Sequence, residues 1–444
     1  MTRPRVAALE PLRFDLDGGA LALLEASRAI PLVSVVVALR CGSAKDPPGR
    51  EGLARLALRM LRRGAEGLTA EQIDFRIDSL GAEMAVDTAA SSVGIHAQVI
   101  ARNTDAFFDL LARLLATPTF PDDEIERLKR ESVAEIVEAR DSDRVVAQKA
   151  LQRTLFAGHP YGHNPGGTVR SVEAIGREDI LAFYRRHVVQ ANLVVGIAGD
   201  AAPERAPALA RQLLAGLPRG EPTADDVTEP SMSPGRRLLV VDKPERTQTQ
   251  ILVATMGTSP LDEDHVPLIV ANAVFGGTFT SRLMKEIRSK RGWSYGASAR
   301  LGVDRRRQGW VMWMFPAAQD SAPCLKLALE LLEAWVAGGV TPREVSFIQR
   351  YLVRSHAFDV DTAPKRLHQA IDVELLGLPR DYFSGWIPRV SAVTPEAATA
   401  AIKNRIRPDD LLSVVVGMAS QVNDALKGSI PRLADASVVP FDIE

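Results

Sequence analysis

Apolar positions in the first half of this chain switch repeatedly between two periods. From Leu32 the run LVSVVVAL reads as a buried strand, and Gly49 to Arg63 then takes up helical spacing. Thr69–Leu80 predicts a second helix, with Thr69 as N-cap and Glu71 and Gln72 in its first turn. Glu83–Val99 alternates as a strand or hairpin, and Thr104–Ala116 carries the helical stripe Phe107, Leu110, Leu111, Leu114. A long helix is expected from Pro121, a residue suited to a first turn, to about Ala139. The order β-α-α-β-β-α-α lacks strict βαβ alternation and predicts an α+β fold.

The same pattern returns later in the chain. SVEAIGREDILAFYRRHVVQANLVVGIAGD (Ser171–Asp200) aligns without gaps on the segment from Arg389, at a constant offset of 218 that pairs Val172 with Val390, Leu193 with Leu411 and Gly199 with Gly417. Each copy reads as a capped helix, a short polar turn and a buried strand. Pro31–Asp46 and Thr247–Asp262 form a second pair, each a strand followed by a Gly-Ser or Gly-Thr-Ser turn and a helix. Between the halves lies GLPRGEPTADDVTEPSMSPG, whose four prolines and scattered small polar residues mark a linker. The expected organisation is an N-terminal domain over residues 1–215, a linker over 216–236 and a homologous C-terminal domain over 237–444. Each domain should be a mostly antiparallel mixed sheet backed by helices.

Composition narrows the function classes. The 54 basic residues are balanced by 55 acidic ones, so no bulk charge draws the chain to nucleic acid or an anionic membrane. The longest apolar runs, such as Leu193–Ala198 and Leu411–Val416, fall far short of a membrane span. Met1–Leu12 has two arginines and two prolines but no apolar core of a signal peptide, so a soluble cytoplasmic or periplasmic protein is expected. Two distant cysteines, Cys41 and Cys324, exclude a disulfide framework and a four-thiolate zinc site, and leave one bridge neither required nor forbidden. No nucleophile elbow, Walker loop or dinucleotide fingerprint is present.

The helical segment GLARLALRMLRRG (Gly52–Gly64), followed by LTAEQIDFRIDSLGAEMAVDT, resembles the first domain of the pitrilysin-type (inverzincin, M16) metallopeptidases. That family carries His-x-x-Glu-His at this place. Positions i, i+3 and i+4 share a helical face, so two His hold zinc and the Glu activates its water. Here the window holds Arg55, Leu58 and Arg59 instead. A guanidinium has no lone pair to give and repels a dication, and Leu58 moves no proton. In KRESVAEIVEARDSD, Glu135 falls at the position of the family's third ligand. One ligand of three makes no zinc site, so no metal and no cofactor are expected in this chain. Arg55 and Arg59, one turn apart, need an anion, and Glu135 is expected to pair with one of them. His159 and His163 lie in GHPYGHNPGG, a turn-rich loop resembling a family loop rather than a metal-binding helix.

Phe275–Ala299, FGGTFTSRLMKEIRSKRGWSYGASA, resembles the second-domain signature of the same family, with a Gly-Gly turn, Ser-Arg-Leu and an Arg seven residues before a Tyr. Arg288 and Tyr295 match that pair. The resemblance implies that they donate hydrogen bonds to peptide substrate at a zinc site. The small two-domain members are about this length and build their chamber from two chains. The chain therefore resembles a non-catalytic, substrate-binding subunit of a heterodimeric zinc peptidase, the zinc lying in a catalytic homologue. The alternatives are a structural core-type subunit of a larger complex and a free-standing peptide-binding clamshell.

Overall fold

The computed structural model describes residues 10–443. The first half of the chain runs β1 (Leu12–Asp15), β2 (Leu21–Ala26), β3 (Leu32–Leu39), α1 (Leu53–Met60), the short ladder β4 (Gly64–Ala65) and β5 (Leu68–Thr69), and α2 (Ala70–Ser79). It continues through β6 (Ala82–Thr88), β7 (Val93–Ile100), α3 (Thr104–Ala116), α4 (Asp122–Glu138), α5 (Asp143–Leu155), α6 (Val169–Ala174), α7 (Arg177–His187), β8 (Leu193–Gly199) and α8 (Ala206–Leu214). The second half begins with β9 (Arg236–Asp242), β10 (Gln250–Met256), α9 (His265–Asn272), β11 (Ala297–Leu301), β12 (Gly309–Met314), α10 (Ser321–Gly338) and α11 (Pro342–Asp359). It ends with α12 (Ala363–Leu376), α13 (Trp386–Ala392), α14 (Pro395–Arg405), β13 (Leu411–Gly417), α15 (Ala419–Ser429) and β14 (Leu433–Pro440).

Two six-stranded sheets result, ordered β1-β2-β8-β3-β7-β6 and β11-β12-β10-β13-β9-β14. Read from opposite ends, five of the six positions correspond, and the parallel pair β2–β8 or β9–β13 adjoins an antiparallel run in each sheet. The offset of 218 survives in three dimensions: α7 and α14, and β8 and β13, begin and end 218 residues apart. The sixth strands are not equivalent, since β1 pairs antiparallel with β2 whereas β14 pairs parallel with β9. The fold is thus α+β with a duplicated, mostly antiparallel mixed sheet.

The compact units do not follow the linker. One unit takes the chain up to Glu135, then His163–Val227 and His356–Gly385; the other takes Ile136–Gly162, Thr228–Ser355 and Trp386 onward. The division into 1–215 and 237–444 therefore needs a correction, because each half sends one helix to the other's sheet. In the first unit α12 packs on β8, β2 and β3, with Leu367, Ile371 and Leu375 against Leu21, Val36 and Val194. An added Cβ at Gly196 of β8 would lie 2.6 Å from Ile371 Cδ1, so the helix packs directly over the glycine and a side chain there would push Ile371 and Leu367 aside. The opposite face is covered by α1, α3, α7 and α8, whose apolar residues complete the main core. In the second unit α5 lies on β10 and β13, and α9, α10, α14 and α15 build a core around Trp310 and Trp335. Cys41 and Cys324 are free thiols, each buried.

The predicted helix over Thr69–Leu80 appears with its capping box, Thr69 accepting from Gln72 N–H and Gln72 accepting from Thr69 N–H. The helix expected from Gly49 is shorter. Gly52 adopts φ +97°, and α1 starts only at Leu53. No helix among the described residues is long and apolar enough to cross a membrane. The segment read for a signal peptide lies largely outside the described residues.

Candidate functional site

Two places in the fold carry the residues singled out by sequence, one in each unit. In the first, the α1 N-terminus is fixed by Asp46, whose carboxylate accepts N–H bonds from Gly52 and Ala54, both at 2.8 Å. Burial pushes this carboxyl up to about 7 against the pull of those two donors. Helix α1 buries Leu53, Leu56, Ala57, Leu58 and Met60 and leaves Arg55 and Arg59 on its outer face. Leu58 is fully enclosed in the core, so its position contributes packing and nothing else.

The expected ion pair is present, and it involves both arginines. Arg59 grips Glu135 with two bonds, Nη2 to Oε1 at 2.8 Å and Nη1 to Oε2 at 3.1 Å, while Arg55 Nη2 reaches Oε2 at 2.9 Å. Arg59 Nη1 also donates to the buried Ser132 Oγ, one turn earlier on α4, at 3.2 Å. Further along, Arg63 pairs with Glu131 and lies 3.6 Å from Glu124. The outer face of α1 is thus laced to α4 by guanidinium–carboxylate pairs. Burial works to raise the Glu135 carboxyl, but the hydrogen bonds and charges of Arg55 and Arg59 win and hold it below its ordinary value.

These residues do not suit a zinc ion. Both His positions hold cations without lone pairs, and Glu135's oxygens are already committed to three N–H donors. Among the described residues no group of three or more His, Cys, Asp or Glu stands together as metal ligands would. His159 is likewise occupied: Nδ1 accepts from Tyr161 N–H at 3.1 Å and Nε2 lies 2.9 Å from Thr228 O.

The second place is built from irregular helix. After α9 the chain widens into a π-helical turn over Ala273–Gly277, and Arg288 sits in a second one, Met284–Ser289. Such turns are rare and concentrate at functional positions. An added Cβ at Gly276 would lie 2.6 Å from Ala299 N, which explains the first glycine of the Gly-Gly turn. Gly292 takes φ +66° and donates its N–H to Arg288 O at 3.0 Å, ending the helix as a left-handed C-terminal residue. Ser294 Oγ then pins the returning strand by accepting from Phe315 N–H at 3.0 Å and donating to Gly296 O at 2.6 Å.

This frame brings Arg288 and Tyr295 together. The guanidinium carbon lies 4.6 Å from the centroid of the Tyr295 ring and 4.5 Å from that of Phe279. Tyr295 is 78% exposed and Phe279 70%. Phe279 carries no signal in the sequence, because it lies in the turn between the two π-helical segments and no helical spacing links it to Arg288 and Tyr295. Asp46 and Ser132 also escaped notice. Ser132 had a signal, lying three residues before Glu135 on one helical face.

A family profile described as insulinase (peptidase family M16) matches residues 21–168, and one described as peptidase M16 inactive domain matches residues 174–352. The chain is similar to the non-peptidase homologue YmxG of Helicobacter pylori, at 22% identity over 396 residues, covering 89% of this chain and 91% of that one. An uncharacterized zinc protease of Mycobacterium leprae is 27% identical over 334 residues, 75% of either chain. In fold, a peptidase M16 inactive domain from Pseudomonas fluorescens superposes with a TM-score of 0.85 at 24% identity, over 92% of this chain and 98% of its own. With both halves matched by profiles of one family and the duplicated fold shared with a solved M16 domain, this chain belongs to peptidase family M16.

Proposed function

We propose that this chain is the non-catalytic, substrate-binding subunit of a heterodimeric zinc peptidase. The observation that carries the reading is a contrast between its two places. At the first, Glu135 is locked between two guanidiniums that stand where a metalloenzyme needs imidazoles. At the second, a framework of two π-turns and a left-handed glycine presents Arg288 and an exposed Tyr295 side by side. A chain that has given up metal binding keeps two outward-facing donors suited to a peptide carbonyl and to an oxyanion forming on it. The name of the Helicobacter relative supports the inactive part of the reading. The zinc and its His-x-x-Glu-His set then belong to a homologous partner chain, and the ligand is a peptide.

The test is reconstitution with the zinc-bearing homologue of the same host. Hydrolysis should require both chains, with zinc found only in the partner. Tyr295→Phe removes one hydroxyl from an exposed ring and leaves packing intact. Loss of one such donor is expected to lower turnover by about 10²–10³, with assembly unchanged, and Arg288→Ala should be at least as harmful. Near-normal turnover with both substitutions, or zinc firmly held by this chain alone, would overturn the proposal.

A further inference from the structure

Arg288 has an aromatic ring on each of two neighbouring residues beside it. Phe279 and Tyr295 place their rings 4.5 and 4.6 Å from its guanidinium carbon, and among the described residues no carboxylate or carbonyl pairs with its N–H groups. Two other half-buried arginines of the same unit are satisfied otherwise. Arg282 makes a two-bond pair with Glu344, and Arg307 one with Asp262. The acid nearest in sequence, Glu286, is already taken by Lys290 and Arg291. Lys285 likewise has no carboxylate partner among the described residues, so the segment around Arg288 carries surplus positive charge.

The two rings crowd the guanidinium carbon, while its N–H groups have no acceptor among the described residues. Those groups form a planar fork of donors, matched in spacing and plane by the two oxygens of a carboxylate. Phe279, exposed by 70%, contributes little to the core, so its ring has no evident structural duty. We propose that Phe279 and Tyr295 form an aromatic clamp that holds Arg288 as an open fork for a carboxylate of the bound peptide, with Phe279 as a positioning residue. This rests on the reading of the chain as a peptide-binding subunit and adds the substrate class: peptides with an acidic side chain or a free C-terminus at the clamp.

The experiment uses the full chain alone and three fluorescent peptides of otherwise equal sequence. One has a central Glu and blocked ends, one a central Gln and blocked ends, and one a central Gln with a free C-terminal carboxylate. A charge-assisted fork should favour a carboxylate peptide over the blocked Gln peptide by about tenfold in anisotropy titrations. Which carboxylate peptide wins identifies the source. Phe279→Leu keeps apolar bulk but removes the ring face, and is expected to weaken the preferred peptide about three- to fivefold. Phe279→Tyr should restore it. The Arg288 Nε–H resonance should show the upfield displacement of a proton stacked on rings, reduced in Phe279→Leu, a signature that a purely structural role would not move. Equal affinity for all three peptides, or a carboxylate preference untouched by Phe279→Leu, overturns the clamp. A preserved preference together with a reconstituted peptidase indifferent to Arg288→Ala would leave the clamp standing and remove the subunit reading.

Discussion

Replacing Glu135 by Gln tests whether the guanidinium–carboxylate pairs now hold α1 to α4. The wild-type carboxylate accepts three N–H bonds, from Arg59 twice and Arg55 once, and is 42% exposed while the two arginines are 30% and 20% exposed. Exposed pairs contribute only about 0.2–1 kcal/mol each, and the two-bond geometry of Arg59 belongs at the upper end. Removing the charge also leaves Arg55 and Arg59 as like charges one turn apart, a further penalty of about 0.2–0.5 kcal/mol. Glu135→Gln is therefore expected to destabilise the first unit by about 1–2 kcal/mol. Arg59→Ala should cost more than Arg55→Ala, since Arg59 makes the two-bond pair and also reaches Ser132.

The assay follows from the placement of aromatic residues. All five tryptophans, Trp293, Trp310, Trp313, Trp335 and Trp386, belong to the second unit, so their fluorescence reports that unit alone while far-ultraviolet circular dichroism reports both. In urea, Glu135→Gln should shift the dichroism transition and leave the fluorescence transition in place. The shift should shrink in high salt. It should also vanish in acid: the Glu135 pKa is lowered from 4.5 in the folded chain, so its contribution is full above that value and is lost as pH falls through the folded pKa. A change below about 0.3 kcal/mol, within the range of unimportant surface pairs, or one that persists in acid, would refute the argument.

Three further outcomes are expected. Gly292→Ala meets no atom within 4 Å but forces a side chain to φ +66°, so the fluorescence transition of the second unit should drop by about 1 kcal/mol, with Gly292→Asn milder. Burial raises the Asp46 pKa from 3.8 to about 7, so the folded chain binds the extra proton between those values and stability falls as pH rises across them; Asp46→Asn should flatten that slope in pH-dependent unfolding. Fragments cut within the linker should fail to fold cooperatively alone, because each lacks the helix that covers one face of its sheet, and should recover the native dichroism when co-expressed; a well-folded single half would refute the exchange.

Elements that follow from local rules were legible in the sequence. Thr104–Ala116 was read to the residue, the helix from Pro121 to within one residue at either end, and the constant offset of 218 became two superposable helix–strand units. The helix exchange was not legible, because α5 and α12 have the same amphipathic character whichever sheet they cover, and nothing local names the sheet. The π-turns at 273–277 and 284–289 were hidden for a similar reason. One extra residue per turn leaves no compositional mark, and Phe279, in the turn between the two, meets Arg288 through tertiary folding that no helical spacing encodes. At the first place the chemistry was readable because it needs only residue types: arginine is no ligand, and two arginines one turn apart need an acid. That both would share Glu135, with Ser132 assisting, depends on how α4 faces α1, which only the fold supplies.

The substitutions at the first place make physical sense as a set. The outer face of α1 remains partly exposed, so apolar residues at 55 and 59 would leave an open patch without replacing whatever bound α1 to α4. Guanidiniums suit the place because long stems cover apolar surface while their forks reach a carboxylate on another helix. Leu58 completes the change from the inside: where a catalytic base would bring a charge, an aliphatic side chain fills the core to zero exposure. Cation, acid and leucine together keep α1 in register with α4 and leave Glu135 engaged by guanidiniums. The other unit turns Arg288 and Tyr295 outward, on a backbone whose π-turns bury Phe275 and Ile287 on their inner side and which then turns at a left-handed glycine. Irregular helix that presents exposed polar side chains side by side suits a binding site, which is why the reading falls on recognition.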